Sequence, residues 1–163
     1  MSATLASPYF SPELELLREQ IRRFIDTEVK PNGERWEEQG MVPRAVLRQM
    51  GELGFLGIRY DEEYGGSALN TMGSIVLAEE LGRSTFGGFG ATVLVHTDMA
   101  SPHLANFGSA EQKRRYLPAL IRGEKICAIA VTEPDAGSDV AGLRSTATAE
   151  GEHFVLNGSK MFI

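Results

Sequence analysis

The hydrophobic period of this chain changes once, near residue 124, and that change restricts the fold more than any other feature. Before it, apolar residues recur at helical spacing. Leu14, Leu17, Ile21, Phe24 and Ile25 form one stripe, and Val46, Leu47 and Met50 form another. Ser11-Pro12-Glu13 reads as a helix start: an N-cap serine, a proline at the first position, and an acid at the positive end of the dipole. Pro31 interrupts that helix, and Pro43 opens the next, which ends near Gly54. A third helix is expected from about Asn70 to Leu81, with Gly82 as its C-cap. Residues 91–106 read as one or two buried helices broken near Pro102. Ser109 and Gln112 have capping-box spacing and open a helix carrying Tyr116, Leu117, Leu120 and Ile121.

After residue 124 the period is that of strands. Ile126 to Thr132 is a short apolar run rich in β-formers, and Ser145–Ala149 and Glu152–Leu156 read as two further strands. Asn157-Gly158 is a favoured hairpin turn, with Ser159 to Ile163 as the expected returning strand. The fold class is therefore α+β: an all-helical domain over residues 1–123, then an incomplete β domain over 124–163. Because the sequence stops inside an expected strand, the chain reads as a fragment of something longer.

Composition excludes several classes. The net charge is −6 with both signs interspersed, unlike the basic stripe of a nucleic-acid binder. No apolar run approaches the ~20 residues of a membrane span. The first basic residue is Arg18, so the N-terminus lacks a signal or transit pattern. Cys127 is the only cysteine; it excludes an internal disulfide, fits a cytoplasmic location, and reads as a small core residue.

The segment with chemical content is Thr132-Glu133-Pro134-Asp135-Ala136-Gly137-Ser138-Asp139, directly after the apolar run. Gly137 allows close approach of backbone to a ligand, Thr132 and Ser138 offer hydroxyls, and successive N–H groups suit an anion. On these grounds alone a plain strand-ending turn is the stronger reading. Other candidates are weaker still. His96 and His103 would share a face on one continuous helix but lack the spacing and carboxylates of a metal site, so no metal is expected. Glu37-Glu38 and Glu79-Glu80 read as solvated helix faces, since helix neighbours point apart. His153 reads as a strand surface residue, and Ser67, Ser101 and Ser138 lack a nucleophile-elbow context.

Order lifts the loop above the turn reading. Ala130 to Asp139 resembles the flavin-contacting signature of the acyl-CoA dehydrogenase family, and Asn157-Gly158-Ser159-Lys160-Met161-Phe162-Ile163 resembles its next signature at the right distance. Glu62-Glu63-Tyr64-Gly65-Gly66, Val95-His96-Thr97-Asp98 and the stretch from Glu111 to Pro118 resemble family landmarks. The Ser159-Lys160 region is most similar to the long-chain branch.

The resemblance implies a helical N-terminal domain, a β-barrel middle domain and a C-terminal four-helix domain, the last absent from this sequence. It implies FAD as cofactor, with Ile129, Ala130, Val131, Thr132, Gly137, Ser138, Phe162 and Ile163 on the flavin side, and Ser138 touching the acyl-CoA as well. Phe162 stands where the family often has Trp, and Asp135 where many members have Gly. The implied reaction is α,β-dehydrogenation of acyl-CoA thioesters in fatty-acid oxidation. The base glutamate is expected beyond Ile163, so no catalytic residue is assigned in this chain, and the isolated chain is expected to be inactive. The resemblance gives Glu133 a structural role. Thr97, Met99 and Ala100 either border the acyl pocket, as that helix does in relatives, or simply pack. An electron-transfer flavoprotein as acceptor and a homotetramer are implied likewise. An acyl-CoA oxidase or flavin monooxygenase of the same fold, or a non-catalytic helical assembly module, are the alternatives.

Overall fold

The computed structural model describes residues 7–163 and divides the chain after Cys127 into two compact units. The Met1–Ala6 stretch, read above for targeting signals, lies outside the described residues. Among those described, no helix is long and apolar enough to cross a membrane.

The first unit is helical. Helix α1 (Pro12–Phe24) starts where cap chemistry places it, with the Leu14 N–H donating to Ser11 Oγ. It runs on through a π-helical turn over Ile25–Val29 before Pro31. Short α2 (Gly33–Glu38) and α3 (Arg44–Glu52) follow, the latter capped by Pro43 and leaving through Gly54 at φ +79°. Helix α4 (Thr71–Arg83) is capped by Asn70, whose side chain accepts from Met72 N–H. Its end departs from expectation. The helix continues past Gly82, and the left-handed residue beyond it is Thr85. Ser84 is fully buried and its hydroxyl accepts from Phe86 N–H, which sets the exit without a glycine cap.

Helix α5 (Gly87–Leu94) begins inside the glycine-rich stretch and passes through a second π-helical segment, Val95–Ala100, into α6 (Ser101–Phe107). Pro102 lies in the first turn of α6, directly after the π-helical segment. Helix α7 (Ala110–Ile121) carries both halves of the expected capping box. The core packs Ile21, Ile25, Met50, Phe55, Leu56, Val76, Leu77, Phe89 and Val93 together. A smaller cluster joins Tyr60, Leu117, Leu120 and Ile121, with Cys127 half-buried against it. Each fully buried large side chain contributes about 1.5–3 kcal/mol.

Helices α1 and α4 are also tied by charge. Glu80 is 1% exposed, which overturns the solvated-face reading for that residue. Arg22 forks onto it, Nε to Oε2 at 3.0 Å and Nη2 to Oε1 at 2.7 Å. Arg83 Nε reaches Oε2 at 3.2 Å, and Arg18 Nη1 lies 3.4 Å from Oε1 and 2.5 Å from Glu79. Burial pushes the Glu80 carboxyl upward in pKa, and the guanidiniums of Arg22, Arg18 and Arg83 outweigh it, so the group stays below the ordinary carboxylate range.

The second unit holds a two-stranded antiparallel hairpin, β1 (Thr146–Glu150) and β2 (His153–Asn157), with Thr146 opposite Asn157 and Glu150 opposite His153. His153 is exposed on it, as expected. Other expectations fail. The hairpin turn is Gly151-Glu152, with Gly151 at φ +61° in the first loop position, where a type II′ turn favours glycine. Asn157 is instead the last paired residue of β2, and Gly158 serves a close approach: a Cβ there would lie 2.6 Å from Ser145 Cβ and 2.9 Å from its Cα. Nor is Ile126–Thr132 a strand. Ser159–Ile163, expected to return from the Asn157-Gly158 turn, is no strand either; it gives the Ile126–Thr132 run a single backbone bond, Met161 N–H to Thr132 carbonyl at 2.9 Å, and one rung is not a ladder.

Candidate functional site

In the second unit the loop from Val131 to Asp139 is built around Glu133. Its backbone closes a bridge with Ala136, N–H to carbonyl at 2.7 Å and back at 3.3 Å. Its carboxylate is 6% exposed and takes three donors: Arg144 N–H at 2.7 Å, Ser145 N–H at 3.0 Å and Lys160 Nζ at 2.9 Å. Hydrogen bonds from Ser145, Arg144 and Lys160 hold its pKa down, from 4.5 to about 2. Lys160 also donates to the Val131 carbonyl at 3.0 Å. Arg144 pairs with Asp135 at 3.1 Å across the exposed side of the loop.

This scaffold leaves a set of groups free at the surface. The Thr132 and Ser138 hydroxyls and the Gly137 and Ser138 N–H groups take no part in the loop's own bonding among the described residues. Thr132 is half-buried and Gly137 and Ser138 are exposed. A Cβ on Gly137 would meet nothing within 4 Å, so the backbone is open to approach. Phe162 is 92% exposed and Ile163 64%, whereas Ile129 and Val131 are half-buried and Ala130 exposed. The unit thus places the candidate residues in two strips, Thr132–Ser138 and Met161–Ile163, joined at Thr132 carbonyl and at Lys160. Lys160 lies inside a motif recognised in the sequence, but its role needs a contact between residues 27 apart and had no local signal.

The first unit holds a separate buried polar group on the π-helical segment. His96 is 1% exposed; its Nδ1 accepts from Cys127 N–H at 3.0 Å, which leaves Nε2–H to donate to the Leu120 carbonyl at 3.1 Å. That fixes the neutral tautomer, and burial depresses the imidazole pKa, against a smaller upward effect of the Leu120 carbonyl. His103 is exposed and bonds Met99 carbonyl, so the two histidines do not share a face. The i→i+5 bonding between them, Ser101 N–H to His96 carbonyl, adds a residue to the turn and rotates the later positions. The Ser101 hydroxyl donates to the same carbonyl and lies 2.7 Å from Tyr60 Oη, which donates to the Thr97 carbonyl at 2.8 Å. Burial raises the Tyr60 pKa, and the adjacent Ser101 hydroxyl opposes it. Thr97 and Ala100 are buried and Met99 is half exposed at 50%. Among the described residues, no group of three or more His, Cys, Asp or Glu is placed to hold a metal.

A cavity of about 510 Å³ opens between α2, α3 and α5, lined by Trp36, Val42, Leu47, Phe86, Phe89 and Ile126 among others. Trp36 is 4% exposed, and its Nε1 is a buried side-chain nitrogen without a hydrogen-bond partner among the described residues. An unpaired buried donor costs about 1–3 kcal/mol. Trp36→Phe is therefore expected to change stability by less than ~1 kcal/mol, the smaller ring offset by loss of the orphan N–H. Urea unfolding followed by circular dichroism tests this; a loss above ~3 kcal/mol would show that the indole N–H is engaged.

Comparison with known proteins places this geometry. Residues 11–124 match the family model of the acyl-CoA dehydrogenase N-terminal domain, and residues 128–163 match that of the acyl-CoA dehydrogenase middle domain. Over 154 residues the chain is 40% identical to the mitochondrial long-chain specific acyl-CoA dehydrogenase of Mus musculus, covering 94% of this chain and 35% of that protein. It is 38% identical over 151 residues to the short-chain specific acyl-CoA dehydrogenase of Clostridium acetobutylicum, covering 93% and 40%. The crystal structure of a Bacillus anthracis acyl-CoA dehydrogenase complexed with FAD superposes with a TM-score of 0.86 at 41% identity, covering 93% of this chain and 26% of that one. The chain spans about 35–40% of the length of these two curated relatives.

Proposed function

The chain belongs to the acyl-CoA dehydrogenase family, and on that premise we propose that it supplies the helical domain and one flavin-facing wall of an FAD-dependent enzyme that dehydrogenates acyl-CoA thioesters between the α and β carbons. The observation that carries this reading is the pair of strips in the second unit, with free hydroxyl and N–H donors on one and an exposed aromatic on the other. That donor set fits a flavin: a planar ring edge needs hydrogen-bond partners along its rim and an apolar side chain against it. Thr132, Gly137 and Ser138 would hold the edge, and Phe162 and Ile163 would pack beside it. When bound, FAD supplies the two-electron acceptor that the oxidation of the acyl chain requires.

The rest concerns this chain's own groups. Glu133 does not take the α-proton. A general base works best with a pKa near the operating pH, and this carboxylate sits near 2 with its oxygens already engaged. Proton abstraction therefore falls to a group other than Glu133. Ser138, at the exposed end of its strip, would contact both flavin and acyl-CoA. Electron-transfer flavoprotein as acceptor, a homotetramer, and a reducing, cytoplasmic setting complete the proposal; the last is supported by the single cysteine.

The test uses the full-length protein that carries this chain. Anaerobic addition of a saturated acyl-CoA is expected to bleach the flavin absorption band with one enoyl-CoA formed per flavin. Thr132→Val is expected to weaken FAD binding ~10-fold, the worth of about one hydrogen bond. A flavin that stays oxidised in the presence of short, long and branched acyl-CoAs overturns the reading. Rapid reoxidation by dioxygen with peroxide release would move it to an acyl-CoA oxidase.

A further inference from the structure

Three chain segments far apart in sequence meet at one ion pair in the second unit. Lys160 Nζ spends two of its three protons at once, on Glu133 Oε1 at 2.9 Å and on the Val131 carbonyl at 3.0 Å. Glu133 Oε1 also takes Ser145 N–H, and Oε2 takes Arg144 N–H. One residue beyond Lys160, Met161 N–H bonds the Thr132 carbonyl. The bonded atoms therefore alternate along the two strips: Val131 and Thr132 on one, Lys160 and Met161 on the other. The pair is shielded, with Glu133 6% and the Lys160 side chain 27% exposed. Among the described residues no ladder supports this edge, since the backbone bond between the strips is the one at Met161.

We infer that Glu133 and Lys160 are a positioning pair that locks the Thr132–Ser138 strip to the Met161–Ile163 strip, so that the hydrogen-bonding and stacking halves of the flavin wall hold one spacing. The inference rests on the flavin reading proposed above. Neither residue touches the flavin in this assignment; both act through their neighbours, Glu133 through Thr132 and Lys160 through Phe162. The arrangement replaces a β-ladder with a charge-assisted cross-link. Such a link leaves the Thr132 hydroxyl and the Gly137 and Ser138 N–H groups free for a ligand, because the joining bonds use the Lys160 ammonium, the Met161 N–H, the Glu133 carboxylate and the Val131 and Thr132 carbonyls. Lysine suits the task because one ammonium can serve a carboxylate and a carbonyl from a single point.

The experiment is made on the full-length protein with Lys160→Met, Lys160→Arg, Glu133→Gln and, as a stability control in the first unit, Ser109→Ala. Two quantities are read: hydrogen exchange over residues 131–145 and 160–163 without added flavin, and the FAD dissociation constant. Lys160→Met and Glu133→Gln are expected to speed exchange in both strips and to weaken FAD by ~10-fold or more, the scale of one charge-assisted bond. Lys160→Arg is expected to recover most of both. Ser109→Ala is expected to lower Tm with FAD affinity unchanged. Unchanged exchange in Lys160→Met overturns the clamp. Faster exchange with unchanged FAD affinity overturns its positioning role, as does an equal loss of affinity in Ser109→Ala. A parent protein that binds no FAD sinks the flavin reading instead, and the exchange arm then decides the clamp by itself.

Discussion

Glu80→Ala is expected to lower the unfolding free energy by about 3–5 kcal/mol, the range for breaking a buried, hydrogen-bonded ion pair by removing one partner. The carboxylate is 1% exposed and is the shared acceptor for Arg18, Arg22 and Arg83. Its removal leaves three guanidiniums facing one another at the contact between α1 and α4. Glu80→Gln keeps the shape and loses the charge, so it is expected to fall between alanine and wild type. Arg83→Ala is expected to cost under ~1 kcal/mol, because that side chain is 52% exposed. Chemical unfolding of the three variants checks the order; equal losses for Glu80→Ala and Arg83→Ala would refute it. The pH dependence has a definite sign. The folded pKa of Glu80 lies below 4.5, so its contribution is complete above that value and is lost as pH falls through the folded pKa. Glu133 behaves alike, with its window running from about 4.5 down to about 2.

The second large effect is expected at Gly66. A Cβ there would overlap the Tyr60 carbonyl oxygen and lie 2.8 Å from the Gly57 carbonyl oxygen, both backbone atoms that cannot swing aside. The surrounding loop is closed by Ser67 N–H to Gly57, Ala68 N–H to Tyr60 and Leu69 N–H to Ile58, at 3.0, 2.9 and 2.8 Å. Gly66→Ala is therefore expected to cost more than the ~1–3 kcal/mol of ordinary overpacking. Its neighbour separates the two uses of glycine. Gly65 sits at φ +91° with nothing within 4 Å of a Cβ, so Gly65→Ala meets backbone strain alone, about 1–2 kcal/mol. Thermal unfolding of the two variants gives the comparison. A smaller loss at Gly66 than at Gly65 would show that the loop moves aside.

Much of the helical unit was legible in the sequence because its punctuation is local. Ser11 and Ser109 sit within three residues of the N–H groups they cap, so cap and helix are read together. The errors fall where a local signal met a distant partner. Asn157-Gly158 is a strong turn pair, but β2 had already found β1 through Gly151, and the close pass of Ser145 took over Gly158. Glu80 looked solvated beside Glu79 because its arginines Arg18 and Arg22 lie on another helix. The residues of the candidate flavin wall were legible as a motif. The means of holding it was not, since Glu133 and Lys160 are 27 positions apart and nothing in either segment alone demands the other.

Trp36 has an optical consequence. It is the only tryptophan of the chain, and the four tyrosines also fall before residue 124. The second unit carries phenylalanine as its sole aromatic type. Emission excited at long ultraviolet wavelengths therefore reports the helical unit alone, from one fluorophore at the edge of its core. The second unit is silent in that channel, so its folding must be followed by another probe.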